Sequence, residues 1–394
     1  MVTEESGIDT ASRHLRAAVA GLAALLLGIG LSRFAFTPLV PALVEAGWST
    51  AGEVGYLGAA NLTGYLVGAG AARRLTQRLA PTALIKASML VGVVSFFASA
   101  APLGFFWLFL WRLVSGIIGG VVMVLAPSVV LATTPSASRG RVAGVVFTGV
   151  GAGIALAGTV IPLLVPAGLP LTWCILGAAS LVLTVVGWIA WPQTDIAVAA
   201  AGSRRYLVFE PAAVRLLLSY ALIGLAFAPP TVFWADFIAR GLGKGLRVAG
   251  LYWVVLGIGA ACGPILTGFL AERFGFARTY TLVLFALAIS MLAPIVWVSP
   301  LALALASFGL GAFGLATTSL GSGRASELVP IIEHRQLWSA MTIGYAIVYA
   351  VSAYLCAFIF AATASYHQIF ALGGAAGLVS AVLAWPWRER RASA

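Results

Sequence analysis

Charged side chains are scarce. Asp, Glu, Lys and Arg make up 9% of the 394 residues, against about 25% in a soluble globular chain, and a water-facing surface cannot be assembled from so few. Cysteine and histidine are sparser still. Cys174, Cys262 and Cys356 sit singly inside apolar runs, which excludes a disulfide framework and a thiolate metal site. His14, His334 and His367 are scattered over a terminus and two loops, with no HxxxD or HExxH arrangement. A membrane-embedded enzyme such as an acyltransferase needs a nucleophile, base or metal set, so no catalytic residue, metal or cofactor is expected. No Walker A cradle is present either, which argues against direct ATP driving. Residues 1–16 lack an apolar core with a cleavage site and read as a cytoplasmic tail, not a signal peptide. A sensor or scaffold would need a soluble output domain, and no segment reads as one.

Apolar sequence is abundant: 61% of residues are hydrophobic and the mean hydropathy is +1.03. The apolar runs are about 20 residues long, the span of a bilayer's hydrocarbon core. Such runs must be helices or a closed barrel, and they lack the alternation of barrel strands. The expectation is an all-α membrane protein of twelve transmembrane helices, near 17–42, 52–72, 82–101, 105–131, 142–166, 170–191, 213–237, 248–271, 279–298, 301–322, 338–361 and 366–386. Ala101–Gly104 and Val165–Gly168 mark uncharged tight turns between neighbouring spans.

Alternate loops differ in charge. One set holds about 18 of the 23 basic residues, and the other only Arg240, Lys244 and Arg247. Basic loops stay in the cytoplasm, so both termini are expected inside. This distribution also accounts for the net charge of +11 without a nucleic-acid partner. The longest polar stretch, Gln193–Glu210, divides the chain into a six-helix bundle over 1–192, a cytoplasmic linker over 193–212 and a second bundle over 213–394. Gly47–Arg73 and Gly241–Arg273 run alike, from a glycine through a Gly-rich helix to a basic turn. A parallel repeat of two six-helix halves is a transporter plan, with its site near the midplane between them.

Three stretches resemble the major facilitator superfamily. Gly268-Phe-Leu-Ala-Glu272-Arg273-Phe-Gly275-Phe-Ala-Arg278 is similar to the superfamily's Gly-x-x-x-Asp/Glu-Arg-x-Gly-x-x-Arg loop. Arg112-Leu-Val-Ser115-Gly116-Ile-Ile-Gly119 is similar to its Arg-x-x-x-Gly-x-x-Gly pattern. Helix 5, with Gly144, Gly149, Gly153 and Gly158, resembles the glycine motif of exporters without its Gly-Pro pair, and such residues also serve helix packing. The first-half loop departs from the pattern, with Ala72 at the acidic position. Arg33-Phe-Ala-Phe-Thr37-Pro38 resembles a branch of small bacterial permeases. The resemblance implies two bundles that rock to give alternating access, a monomer in the cytoplasmic membrane and possible use of protons. It also implies a cytoplasmic lock resting on Glu272, with Arg273 and Arg278 beside it and Arg335 as its first ion-pair candidate.

An ionisable residue inside a membrane helix costs several kcal/mol unless paired or hydrated. Arg33 lies roughly 6 Å past the middle of helix 1, and Arg112 roughly 7 Å from the middle of the oppositely running helix 4, on the same side. No acid lies in the interior of helices 1 to 6. A mobile anion held by bidentate hydrogen bonds would supply the counter-charge. The alternative is that each Arg caps backbone carbonyls or reaches up to the interface. Asn61, with Tyr65 one turn on, either lines the cavity or bonds a neighbouring helix. Thr342, Tyr345, Tyr349 and Ser352 form a polar stripe on helix 11 that suits either a wet wall or packing. Pro229-Pro230 suits a gate, a hinge or a static kink. Asp236 could carry a coupling proton or pair with Arg240 four residues on.

The leading expectation is therefore a secondary active transporter for a small organic anion, by symport or antiport. Efflux of amphipathic drugs or metabolites is the alternative, supported by helix 5 and by Phe34, Phe36, Trp111, Phe227 and Phe233.

Overall fold

A backbone in hydrocarbon must satisfy its own hydrogen bonds, and this chain does so with helices. The computed structural model describes residues 15–134, 139–191 and 210–386. They form α1 (Leu15–Glu45), α2 (Glu53–Leu75), α3 (Pro81–Ser99), α4 (Phe105–Ala132), α5 (Arg139–Leu164), α6 (Leu169–Ala190), α7 (Pro211–Gly241), α8 (Gly245–Phe274), α9 (Phe276–Val296), α10 (Pro300–Leu328), α11 (Ile331–Thr363) and α12 (Tyr366–Ala384). Eleven are long and apolar enough to cross a membrane. The other, α2, spans 23 residues but is diluted by glycines, Asn61, Thr63 and Tyr65. It packs on α4 and α11, so it needs less apolar surface for lipid. Most of the linker, 193–209, lies outside the described residues, as does residue 192.

Local chemistry sets the helix ends. Proline begins α3, α7 and α10, where its missing N–H is not needed. At the start of α2, the Thr50 N–H donates to Glu53 Oε2 (2.7 Å) and the Glu53 N–H to Thr50 Oγ1 (3.3 Å), a reciprocal cap. Gly275 holds φ at +84° between α8 and α9, a conformation glycine adopts without steric cost. The apolar runs underestimate α10 and α11, which continue through polar turns to Leu328 and back to Ile331.

Two six-helix bundles result. In the first, α2 packs on α4, α4 and α6 on α3, and α1 on α5. In the second, α7 packs on α11 and α12, and α10 on α8 and α9. Small residues allow the close approaches: a Cβ at Gly116 of α4 would sit on the Asn61 carbonyl of α2. Between bundles, α5 meets α8, α2 meets α11 and α1 meets α7. These contacts gather away from the arginine-rich turns, as at Gly158 against Gly250, Gly55 against Ala357 and Gly52 against Ala361. Toward the arginine-rich end, Val67 and Gly70 of α2 and Thr342 and Ile343 of α11 are exposed.

Candidate functional site

The site forms where α1 departs from regular winding. Leu26–Leu31 is π-helical, Ser32–Ala35 is a turn, and an α-helical stretch with Pro41 inside it follows from Phe36. Wide π turns recur at functional places in helices. Arg33 lies in the turn, and the Ser32 carbonyl accepts a hydrogen bond from Arg112 Nη1 of α4 at 2.7 Å. Arg33 and Arg112 line one small cavity of about 10 Å³ with Phe36, Gly58, Asn61, Leu62, Thr231 and Val232.

Aromatic faces surround the guanidiniums. Arg112 Cζ lies 4.3 Å from the Phe36 ring centroid. Arg33 Cζ lies 4.6 Å from Tyr349, 5.2 Å from Phe34 and 5.5 Å from Tyr65. Such contacts offset part of a cation's desolvation, up to about 2 kcal/mol; the phenylalanine rings supply no acceptor, while the Tyr349 hydroxyl oxygen is within hydrogen-bonding reach of the Arg33 side chain. The Nε of each arginine is buried without a hydrogen-bond partner. Arg112 is 4% exposed. Among the described residues, neither arginine pairs with a carboxylate, whereas Arg240 pairs with Asp236 and Arg324 with Glu327.

Asn61 performs both roles left open by the sequence. It lines the cavity, and its Nδ2 donates to Ser115 Oγ (2.9 Å) and the Arg112 carbonyl (3.3 Å). Tyr349 donates to Thr231 Oγ1 at 2.8 Å, and the Thr37 hydroxyl of α1 donates to the Thr231 carbonyl of α7. The Arg33 wall is thereby tied across the two bundles. Tyr345 lies one layer away, 5.3 Å from the Tyr349 ring and 5.6 Å from Tyr220. Pro229 and Pro230 lie within α7, next to Thr231, and Pro229 faces Gly373 of α12.

Asp236 lies apart from this cavity. It is fully buried, forms a two-pronged pair with Arg240, and accepts from the Tyr366 hydroxyl at 2.7 Å. Glu45 at the end of α1 is near enough to attract Arg240. Asp236 is not alone as a carboxylate at the end of a second-half helix, because α10 extends to include Glu327. That residue pairs with Arg324 (2.9 Å) and accepts the Phe276 N–H (3.3 Å), tying α10 to the motif turn. Glu272, Arg273 and Arg278 are exposed, and the Arg335 side chain lies outside the described residues.

Sequence reasoning missed Thr231, the Ser32 carbonyl and Glu327. Threonine after a Pro-Pro pair is a faint signal for the first. Nothing local marks the second, and hydropathy ended α10 before the third.

The family described as "Uncharacterised MFS-type transporter YbfB" matches residues 25–385. The fold is similar to a D-xylose–proton symporter, with a TM-score of 0.75 and 18% identity over 94% of this chain and 96% of that one. It is also similar to the nucleoside transporter NupG, with a TM-score of 0.73 and 12% identity over 94% and 98%. A third similar structure is a bacterial homologue of the human lysosomal transporter Spinster, in an inward-facing and unoccupied conformation. There the TM-score is 0.67, with 16% identity over 94% of each chain. A search of curated proteins gave no match.

Proposed function

The chain belongs to this family of MFS-type transporters, and from that premise we propose that it carries a small organic anion by alternating access. Arg33 and Arg112 form its anion-binding pair. One observation carries the reading: two guanidiniums, each with an unpartnered Nε, converge on a cavity that offers no carboxylate. A guanidinium edge presents parallel donors that match carboxylate, sulfonate or phosphate oxygens. Asn61 braces Arg112, while Tyr349 and Tyr345 form the aromatic wall beside Arg33.

The cavity volume of about 10 Å³ leaves room for about one water molecule, so the site is contracted in this state and a solute enters it only when the bundles part. The loop-charge bias assigns the arginine-rich end to the cytoplasm and places both termini there. The bundles then meet on the outer side, where Asp236, Arg240 and Tyr366 brace the end of α7. Opening outward requires the Thr37–Thr231 tie and the outer α2–α11 and α5–α8 contacts to separate. On the cytoplasmic face, Glu272, Arg273, Arg278 and Arg335 act when that face closes. The transporter works as a monomer in the cytoplasmic membrane.

Ligand-induced thermal stabilisation of the detergent-purified protein tests this reading. A ligand at 100 times its Kd stabilises by about 2.7 kcal/mol. Among benzoate, succinate, methanesulfonate, inorganic phosphate and cationic dyes, at least one anion should raise the unfolding temperature and the dyes should not. Stabilisation by dyes alone would give first place to efflux of amphipathic compounds.

A further inference from the structure

We propose that this transporter is an obligate anion exchanger: it reorients when loaded, returns only with a second anion, and carries no proton with its solute. The proposal rests on the two-arginine reading above and adds its mode of energy coupling.

The first argument concerns the empty site. Arg33 and Arg112 bring two positive charges to one cavity, and neither is paired with a carboxylate among the described residues. The aromatic rings and the Ser32 carbonyl relieve part of this burden, yet both Nε donors remain without an acceptor. In a state facing one side, water can enter and hydrate them. Reorientation passes through a state closed at both ends, where that hydration is lost and the uncompensated charge is most costly. A bound anion cancels charge and accepts from the free donors at that step. Loaded transit is therefore fast and empty transit slow, which links outward movement of one anion to inward movement of another.

The second argument concerns protons. Proton coupling needs a base at the site: a carboxylate that is ionised in the empty carrier, where it offsets an arginine, and takes up a proton when the anion binds, or an imidazole protonated together with the bound anion. The carboxylates of the described residues are Glu45, Glu53, Glu210, Asp236, Glu272, Glu327 and Glu333, and the imidazoles are His334 and His367. None lines the cavity. Asp236, buried within α7, is engaged by Arg240 and Tyr366. Glu327 is engaged by Arg324 and the Phe276 N–H, and Glu53 by Thr50. His334 lies within reach of the Ser322 carbonyl at 3.1 Å. The remaining groups lie at helix ends. The groups facing Arg33 from α2 and α11 are phenols, Tyr65 and Tyr349. The site has donors for an anion and no base to bring a proton.

Proteoliposomes of the full chain separate the possibilities. From benzoate, succinate, methanesulfonate and inorganic phosphate, the anion that stabilises the purified protein is used as radiolabel. Vesicles hold either that anion unlabelled or only sucrose with a zwitterionic buffer. Uptake into preloaded vesicles should exceed uptake into sucrose vesicles by at least about tenfold, because an unpaired buried charge costs more than the free energy of a tenfold rate difference. A protonophore should leave exchange unchanged. Uptake into sucrose vesicles at the exchange rate, or uptake driven by an imposed proton gradient, overturns the exchange proposal while leaving the anion site intact. Stabilisation by none of the four anions overturns the anion site itself, and the proposal with it.

Discussion

Arg33 and Arg112 meet their surroundings differently. Arg112 is anchored by the Ser32 carbonyl at 2.7 Å, so its free Nε edge is held in place. Arg33 rests on rings from its own helix, from α2 and from α11, so it senses the second bundle through Tyr349. That makes Tyr349 separable into ring and hydroxyl. Tyr349→Phe keeps the ring and loses the bond to Thr231, worth about 1 kcal/mol. That bond lies within the second bundle, so its loss should leave anion affinity within about threefold. Thr37→Val instead removes the hydroxyl tie between the bundles and should favour the outward-open state by roughly fivefold. A thiol-reactive probe applied from outside to Leu62→Cys in that background should react correspondingly faster, and unchanged labelling would contradict the tie. Tyr349→Leu also removes the ring and should weaken binding as well. The two arginines were legible in the sequence because a guanidinium in an apolar run demands a reason. Thr231 and Ser32 were not. A hydroxyl tie between residues 37 and 231 leaves no periodic trace, and a backbone carbonyl carries no side-chain signal.

At the scale of elements, twelve helices could be read from hydropathy because the bilayer selects runs of one length. Their polar ends could not, since α10 and α11 continue beyond the apolar sequence. The irregular winding of α1 was hidden too, although Pro38 and Pro41 lie just after it. Glycine contacts carry the packing. Gly116→Leu would drive a side chain into the Asn61 carbonyl, where overpacking typically costs about 1–3 kcal/mol or more. Monodisperse protein should be lost on size-exclusion chromatography, whereas Gly70→Ala, with open space around it, should behave as wild type. The end of α7 supplies a second test. Asp236→Asn removes the negative charge and replaces one of the two acceptor oxygens that serve Arg240 and Tyr366 with a donor, and should cost about 1–3 kcal/mol, seen as a lower unfolding temperature in detergent. Equal stability would show that the cluster does not brace the helix.

The whole molecule is closed at one end, and its contacts between bundles thin toward the arginine-rich turns. Leu62→Cys, in the cavity wall, should therefore react with an impermeant maleimide from the side bearing those turns and resist it from the other. Protection from both sides would indicate an occluded resting state. The twelve-helix fold of two bundles was legible from span count and the Gly268–Arg278 motif. The state was not, because sequence specifies both ends of the cycle at once. The central claim is that the cavity between the bundles is an anion site built on two arginines. The most direct test is equilibrium binding of the stabilising anion to purified wild-type, Arg112→Lys and Arg112→Gln proteins of matched folded yield. Arg112→Gln should lose binding, and Arg112→Lys, which keeps the charge but not the planar fork, should weaken it by about tenfold or more. Wild-type affinity in Arg112→Gln, or a substrate that proves to be a cation, would contradict the account.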